Sequence, residues 1–286
     1  MPSVSSPTLR QQRLGAELRK LRERAGLSST AAASLLGGNQ ARISNIEAGR
    51  YAVSADRVRT LAGNYTCPDP DYVDALAGMT GTRKRGWWEE YRELLPKTLL
   101  DLAELEHHST AVRVAVVVHI PGLLQTTEYA RATFRENLPP LRPHEVEHRV
   151  SYRIKRQAIL FGANPAPYTA IVHEAALRMG HGGPRVTSEQ LDHLNEMSEH
   201  SHISVLVIPF GEASFPISGQ PITYAGGPVP QLDTVVVDTE MGCDFLDAEA
   251  QLTKYTSVLD RMESRALGPT QSRDLIHRIA QETRKG

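Results

Sequence analysis

The sequence predicts two joined domains: a small N-terminal all-α module and a larger mixed α/β (α+β) C-terminal domain. Three observations predict this. Residues 27–49 read as a helix, a sharp turn and a second helix. Residues 1–67 carry ten Lys/Arg and four Asp/Glu, a net of +6, whereas the remainder carries 22 and 29, a net of −7. Beyond residue 87, valine-rich strand patterns alternate with helical ones, as layered α/β domains require.

In the N-terminal module, Leu14, Leu18 and Leu21 recur at helical spacing within Leu9–Arg24, and Gly26 ends that helix. The next helix starts after Leu27, with Ser28 or Ser29 as cap, and runs through Ala31, Ala32, Ala33, Leu35 and Leu36. Its alanines let a neighbouring helix approach closely. Gly37 and Gly38 supply the turn. The following helix, about 40–48, has Asn39 as N-cap and Gly49 as its C-terminal stop.

Stepping about 100° per residue from Gln40 puts Ile43 and Ile46 together, at roughly 300° and 240°. Gln40, Ala41, Ser44, Asn45 and Ala48 take the opposite side, with no bulky apolar group and no like-charge cluster. A thin amide-bearing face of this kind suits the DNA major groove. Gln and Asn bond adenine edges, and Ala touches a thymine methyl. The competing reading is a helical hairpin in an unrelated bundle. Spacing, caps, face chemistry and basic charge agree on DNA. Val58, Leu61 and Ala62 predict one more helix, starting near Ser54.

These residues resemble the Xre type of helix-turn-helix, the group that includes the lambdoid phage repressors. The likeness rests on Leu14, Leu18, Leu21, Arg22, Gly26, Leu27, Ser28, Ala33, Leu36, Gly37, Gln40, Arg42, Ile43, Ser44, Ile46, Glu47 and Gly49. The resemblance implies a lambda-repressor-like domain over residues 9–67. Gln40, Ala41 and Asn45 would face bases, and Arg42 and Ser44 would lie near the backbone or base edges. Ser29, Asn39 and Arg50 complete the expected DNA-binding set. Glu47 would pair with a first-helix arginine, Arg22. Two positions depart from the pattern: Ser29, where Gln is frequent, and Gly38, where Val is common. Such proteins act as homodimers on palindromic double-stranded DNA.

Residues 1–8, rich in Ser and Pro, are expected to be a disordered tail, and 68–86 a linker. Cys-Pro-Asp-Pro-Asp at 67–71 reads as a helix breaker, with a turn or two at Tyr72–Ala77, and Arg83, Lys84 and Arg85 form a basic connector. The domain at 87–286 begins with a long helix, Trp87–Glu106, which Pro96 should bend or interrupt. Strands are expected at 111–119, 168–173 and 203–209, with a hairpin-like pair at 221–225 and 234–238. Helices are expected at 127–136, 144–161, 175–179, 188–200, 247–266 and 269–284.

A second resemblance covers about 200 residues. It rests on Trp87-Trp88, Tyr91, Leu105-Glu106, the Pro121-Gly-Leu-Leu-Gln-Thr126 box, Tyr129-Ala130-Arg131, Arg156-Gln157, His173 to Arg178, Gln190-Leu191, Leu194, Ile208-Pro209-Phe210 and Ser272. These look like the large C-terminal domain, long labelled as of unknown function, of actinomycete Xre regulators. That resemblance implies a regulatory or partner-binding domain and a small acidic protein partner encoded nearby. The alternative function is then antitoxin-like.

Within the box, Thr126 or Thr127 caps a helix and Gln125 has an amide to offer a ligand or partner. The favoured reading is a turn whose leucines plug the core. Arg149, Arg153 and Arg156 fall on one side of a helix, where an anion or acidic partner could sit. A solvated face is the favoured reading.

Enzyme signatures are incomplete. His173-Glu174 opens like a zinc-protease motif, but Leu177 stands where the second histidine belongs. Gly180-His-Gly-Gly183 lacks the preceding strand of a phosphate loop, and no Gly-x-Ser-x-Gly elbow occurs. No enzyme activity, metal or cofactor is expected. Cys67 and Cys243 read as free thiols in a reducing cytoplasm. The polar Met1–Thr8 argues against a signal peptide. The longest apolar run, Ala111–Val118, is broken by Arg113 and too short for a bilayer.

Overall fold

The computed structural model describes residues 6–81, 86–162, 164–212, 216, 219–239 and 242–285. It divides into two compact units, at Trp87/Trp88. Residues 1–5 of the expected tail and the basic connector Arg83, Lys84 and Arg85 lie outside the described residues.

The first unit contains α1 (Leu9–Arg24), α2 (Ser29–Leu35), α3 (Gln40–Glu47), α4 (Ala55–Asn64) and α5 (Pro70–Gly78). Each start carries a side-chain cap, from Thr8, Ser28, Asn39, Ser54 and Asp69 in turn, accepting a hydrogen bond from the backbone N–H three residues on. Thr8, assigned to the tail by sequence, instead forms a capping box with Gln11. Gly26, Gly37 and Gly49 adopt positive φ, which lets the chain turn after α1, α2 and α3. Leu14, Leu18, Leu21, Ala32, Ala33, Ile43, Ile46, Val58, Leu61 and Ala62 are all buried.

The segment 68–86 is not simply a linker. Pro70 is the first residue of α5, where a missing N–H costs nothing, and Asp69 caps it. The helix packs on α4 and buries Tyr72, Leu76 and Ala77.

A 3-10 turn at Trp87–Tyr91 begins at the division, and α6 (Lys97–His107) follows in the second unit. The single helix expected at 87–106 is therefore broken, with Pro96 at the start of its second half. There follow β1 (Ala111–Val116), a 3-10 turn at Gly122–Leu124, α7 (Thr127–Arg135) and α8 (Pro143–Arg156), which tightens into 3-10 geometry at Gln157–Leu160. Next come β2 (Tyr168–His173), α9 (Glu174–Arg178), α10 (Gly183–Met197) and β3 (Ile203–Ile208). The chain continues with β4 (Ile222–Gly226), β5 (Thr234–Thr239), β6 (Gly242–Leu246), α11 (Glu249–Glu263) and α12 (Pro269–Lys285).

The six strands form one mixed sheet, in the order β3-β2-β1-β4-β5-β6. Pairings among β1, β2 and β3 are parallel, and those from β1 through β6 are antiparallel. Strand periodicity sorts residues between two covered faces. Val112, Val114 and Val116 join a core with residues of α7, α10 and α12. Ala115 and Ile171 face the opposite way, against Leu259 and Met262 of α11. Burial on both faces explains why β2 and β3 read as nearly continuous apolar runs. No helix among the described residues is long and apolar enough to cross a membrane.

Candidate functional site

Helix α3 presents two unlike sides. Ile43 and Ile46 are 3% and 6% exposed and anchor it inward. Gln40, Ala41 and Arg42 are exposed, and Ser44 and Asn45 are half-buried. Asn39 Oδ1 accepts from the Arg42 backbone N–H at 2.9 Å, so the residue caps the helix as well as standing at its exposed start. Gln40 Nε2 donates to Ser44 Oγ at 2.8 Å, which fixes the amide along the polar face. The Asn45 side-chain amide has no hydrogen-bond partner among the described residues. The Asn45 backbone carbonyl accepts from the backbone N–H of both Arg50 and Tyr51, at 2.9 and 3.2 Å, which folds the chain back beside the helix. Ser29 is half-buried at the first position of α2, because Ser28, not Ser29, is the cap.

The basic charge of this unit is partly spent internally. Arg19 pairs with Glu23, Lys20 with Glu17, and Arg59 with Asp74. Arg24, Arg42, Arg50 and Arg57 have no carboxylate partner among the described residues. Arg42 on α3 and Arg50 just beyond it thus keep their charge available beside the polar face. Tyr51, 54% exposed and next to Arg50, was not singled out from sequence, since a lone aromatic in a loop belongs to no periodic pattern.

What holds α3 is an ion pair that the sequence does indicate. Arg22 Nε meets Glu47 Oε1 at 2.6 Å and Nη2 meets Oε2 at 2.9 Å, while Nη1 donates to the Leu27 carbonyl at 2.7 Å. Both side chains are 9% exposed. Burial and the nearby Glu47 carboxylate push the Tyr65 phenol up to about 12. Glu17 is a second hub: it pairs with Arg13 at 2.8 Å and accepts from Tyr72 Oη at 2.6 Å, tying α1 to α5.

Gly15 permits the α1–α3 approach. A Cβ there would lie 2.6 Å from the Ile46 carbonyl oxygen and also collide with that of Glu47. Gly15→Ala is expected to destabilise the first unit by about 1–3 kcal/mol, the usual range for overpacking. Thermal unfolding followed by circular dichroism checks this, and an unchanged melting temperature would contradict the close approach.

In the second unit, the Pro121–Thr126 box is a structural turn. Leu123 and Leu124 enter the core, and Thr126 caps α7. Gln125 is 2% exposed, and its side chain is committed to internal bonds. Its Nε2 donates to the Ile120 carbonyl at 2.8 Å and its Oε1 accepts from Arg153 Nη1 at 2.6 Å. Two distant amides complete the frame. Gln157 donates to the Gln125 carbonyl, and Gln190 bonds both the Thr126 N–H and the Leu124 carbonyl.

The solvated face expected for Arg149, Arg153 and Arg156 is corrected for two of them. Arg156 is bound by Glu106 of α6 at 2.5 and 2.7 Å, with side chains 9% and 4% exposed. Arg153 lines the same cavity as Arg156 and Gln125, whereas Arg149 and Thr126 do not. Among the described residues, Arg149 bonds only the Glu145 backbone carbonyl, at 3.4 Å.

His173 and Glu174 serve the fold. His173 Nδ1 accepts from the Ala175 N–H at 3.2 Å. Glu174 pairs with Arg178 at 2.8 Å and accepts from the Phe210 N–H at 2.9 Å. No group of three or more His, Cys, Asp or Glu able to hold a metal occurs among the described residues. Cys67 and Cys243 are free thiols. Burial, with Asp238 alongside, pushes the Cys243 thiol up to about 12, so it is not a reactive thiolate.

Two family comparisons match the chain. The family described as a domain of unknown function (DUF5753) matches residues 99–278. The family described as a helix-turn-helix domain matches residues 13–76, a span that takes in most of α5. No curated protein and no solved structure matches the chain.

Proposed function

The chain belongs to the DUF5753 family and carries a helix-turn-helix domain ahead of that region, and from this premise we propose that it is a sequence-specific, DNA-binding transcription regulator of the Xre type. The observation that carries the proposal is the exposed polar side of α3, with Arg42 and Arg50 uncompensated beside it. Inserted in the major groove, Gln40 and Asn45 read base edges, Ala41 meets a thymine methyl, and the arginines meet phosphates. The protein acts as a homodimer on palindromic half-sites about one DNA turn apart, roughly 34 Å. The second unit is a regulatory domain that receives an effector or partner, and the protein has no catalytic role of its own.

Fluorescence anisotropy on operator DNA, identified by genome-wide recovery of bound fragments, tests this. Gln40→Ala and Asn45→Ala should each weaken the specific complex by about 1–3 kcal/mol and relax preference at one base pair. Arg42→Ala should weaken specific and non-specific binding alike and flatten the salt dependence. Unchanged sequence preference in both amide variants would remove α3 as the reader.

A further inference from the structure

A cavity of ≈210 Å³ opens within the second unit, between the sheet and helices α6 and α8. Its floor follows from strand register. Val112, Val114 and Val116 alternate onto it, and the row continues sideways because Val114 pairs with Thr223 and Thr223 with Val236. Leu99 and Leu102 of α6 add further apolar wall. The volume lies below the roughly 300–1,000 Å³ of sites for drug-sized ligands, so the occupant is a smaller molecule.

Two guanidinium groups reach this apolar space, and they are not equivalent. Arg156 is neutralised by Glu106 in a two-point ion pair. Arg153 has no carboxylate partner among the described residues. Its Nη1 donates to Gln125 Oε1, its head lies 4.8 Å from the Phe134 ring centre, and its buried Nε has no hydrogen-bond partner among the described residues. Burial and the neighbouring Arg156 draw its pKa down to about 10, outweighing the opposing pull of the Asp238 and Glu106 carboxylates. Such a charge is costly in a low-dielectric cavity until an anion meets it. Gly122 of the box makes room for it: a Cβ there would stand 3.1 Å from Arg153 Nη1.

We propose that this cavity binds a small monocarboxylate with a compact apolar body. The carboxylate is held by the Arg153 guanidinium and the apolar body by the valine floor. A planar fork of N–H donors matches a carboxylate geometrically. Asp238, which accepts from the Cys243 thiol at 3.0 Å, also lines the cavity and disfavours a second negative group. This deepens the reading of the second unit as an effector domain and rests on it for biological meaning, though not for the binding itself.

The test is calorimetric titration of the full-length protein, without DNA, with hexanoate, benzoate and phenylacetate, each against its primary amide. At least one carboxylate should bind saturably, with one site per chain, and at least ten-fold more tightly than its amide. Arg153→Gln should lose at least ten-fold. Gly122→Ala should also weaken binding while circular dichroism stays unchanged, and it decides the matter alone if Arg153→Gln does not fold. The proposal fails if none of the three acids saturates, if the amides bind equally well, or if the folded variants bind like the native chain. DNA binding without acid binding would sink this inference alone. Acid binding without DNA binding would sink the regulator reading alone.

Discussion

Glu47→Ala is expected to unfold much of the helix-turn-helix unit near physiological temperature and to abolish DNA binding with every base-facing residue intact. Glu47 is the last residue of α3, and its carboxylate is the two-point partner of Arg22. Both groups are buried, so truncating Glu47 leaves a desolvated guanidinium with the Leu27 carbonyl and only the looser, half-exposed Glu23 carboxylate at 3.6 Å. Breaking such a pair costs about 3–5 kcal/mol. Whole domains are stable by only about 5–15 kcal/mol. Each kcal/mol moves the melting point of a unit this small by about 4–8 °C. A thermal scan should therefore show an early transition, and limited proteolysis should cut first between α1 and α5. Replacing both partners, as Arg22→Met with Glu47→Leu, should recover most of the loss, because two apolar groups leave no orphaned charge. A loss below 1 kcal/mol for Glu47→Ala would mean that the pair is solvated and that packing alone seats α3.

The legible parts of this chain are those whose determinants are local. Ile43 and Ile46 against Gln40, Ser44 and Asn45 define two sides of α3 from spacing alone. Asn39, Ser54, Gly26 and Gly49 mark helix ends through cap chemistry that acts over three or four residues. The same local rule misled at Pro70. A proline reads as a breaker, yet with Asp69 before it the residue starts a helix. Strand β6 was missed because Gly-Cys-Asp-Phe-Leu has no clean alternation and pairs only with β5.

The second unit's polar interior was harder to read for another reason. Helical spacing put Arg149, Arg153 and Arg156 on one side but could not say whether that side meets water or protein. The residues that decide it lie far off in sequence: Glu106 is 50 positions from Arg156, and Gln125 is 28 from Arg153. Likewise the box was recognisable as a turn, but Gln157 and Gln190, which satisfy its backbone, could not be assigned to it. Local patterns report a residue's side of its own helix; burial is set by tertiary neighbours.

The Arg156–Glu106 pair supplies the second large effect. Glu106→Ala should destabilise the second unit by about 3–5 kcal/mol, since Arg156 would keep its charge in the cavity without a partner. The effect should exceed that of removing an exposed pair such as Arg185–Glu189, where solvent screens both groups and the loss stays within about 1 kcal/mol. The contrast with Arg153 sharpens the expectation. Glu106→Ala would place two uncompensated guanidinium groups on successive turns of α8, each raising the cost of the other. Arg156→Leu combined with Glu106→Leu should restore much of the stability, and it should leave Arg153 and its Gln125 contact in place. Urea unfolding of a Trp87→Phe background, followed by tryptophan emission and by far-ultraviolet circular dichroism, resolves the second unit's transition, because the remaining tryptophan, buried Trp88, lies in that unit. If Glu106→Ala and Glu189→Ala shift that transition equally, then water reaches the Arg156 pair, and the cavity is too wet to hold an uncompensated Arg153 in waiting for an anion.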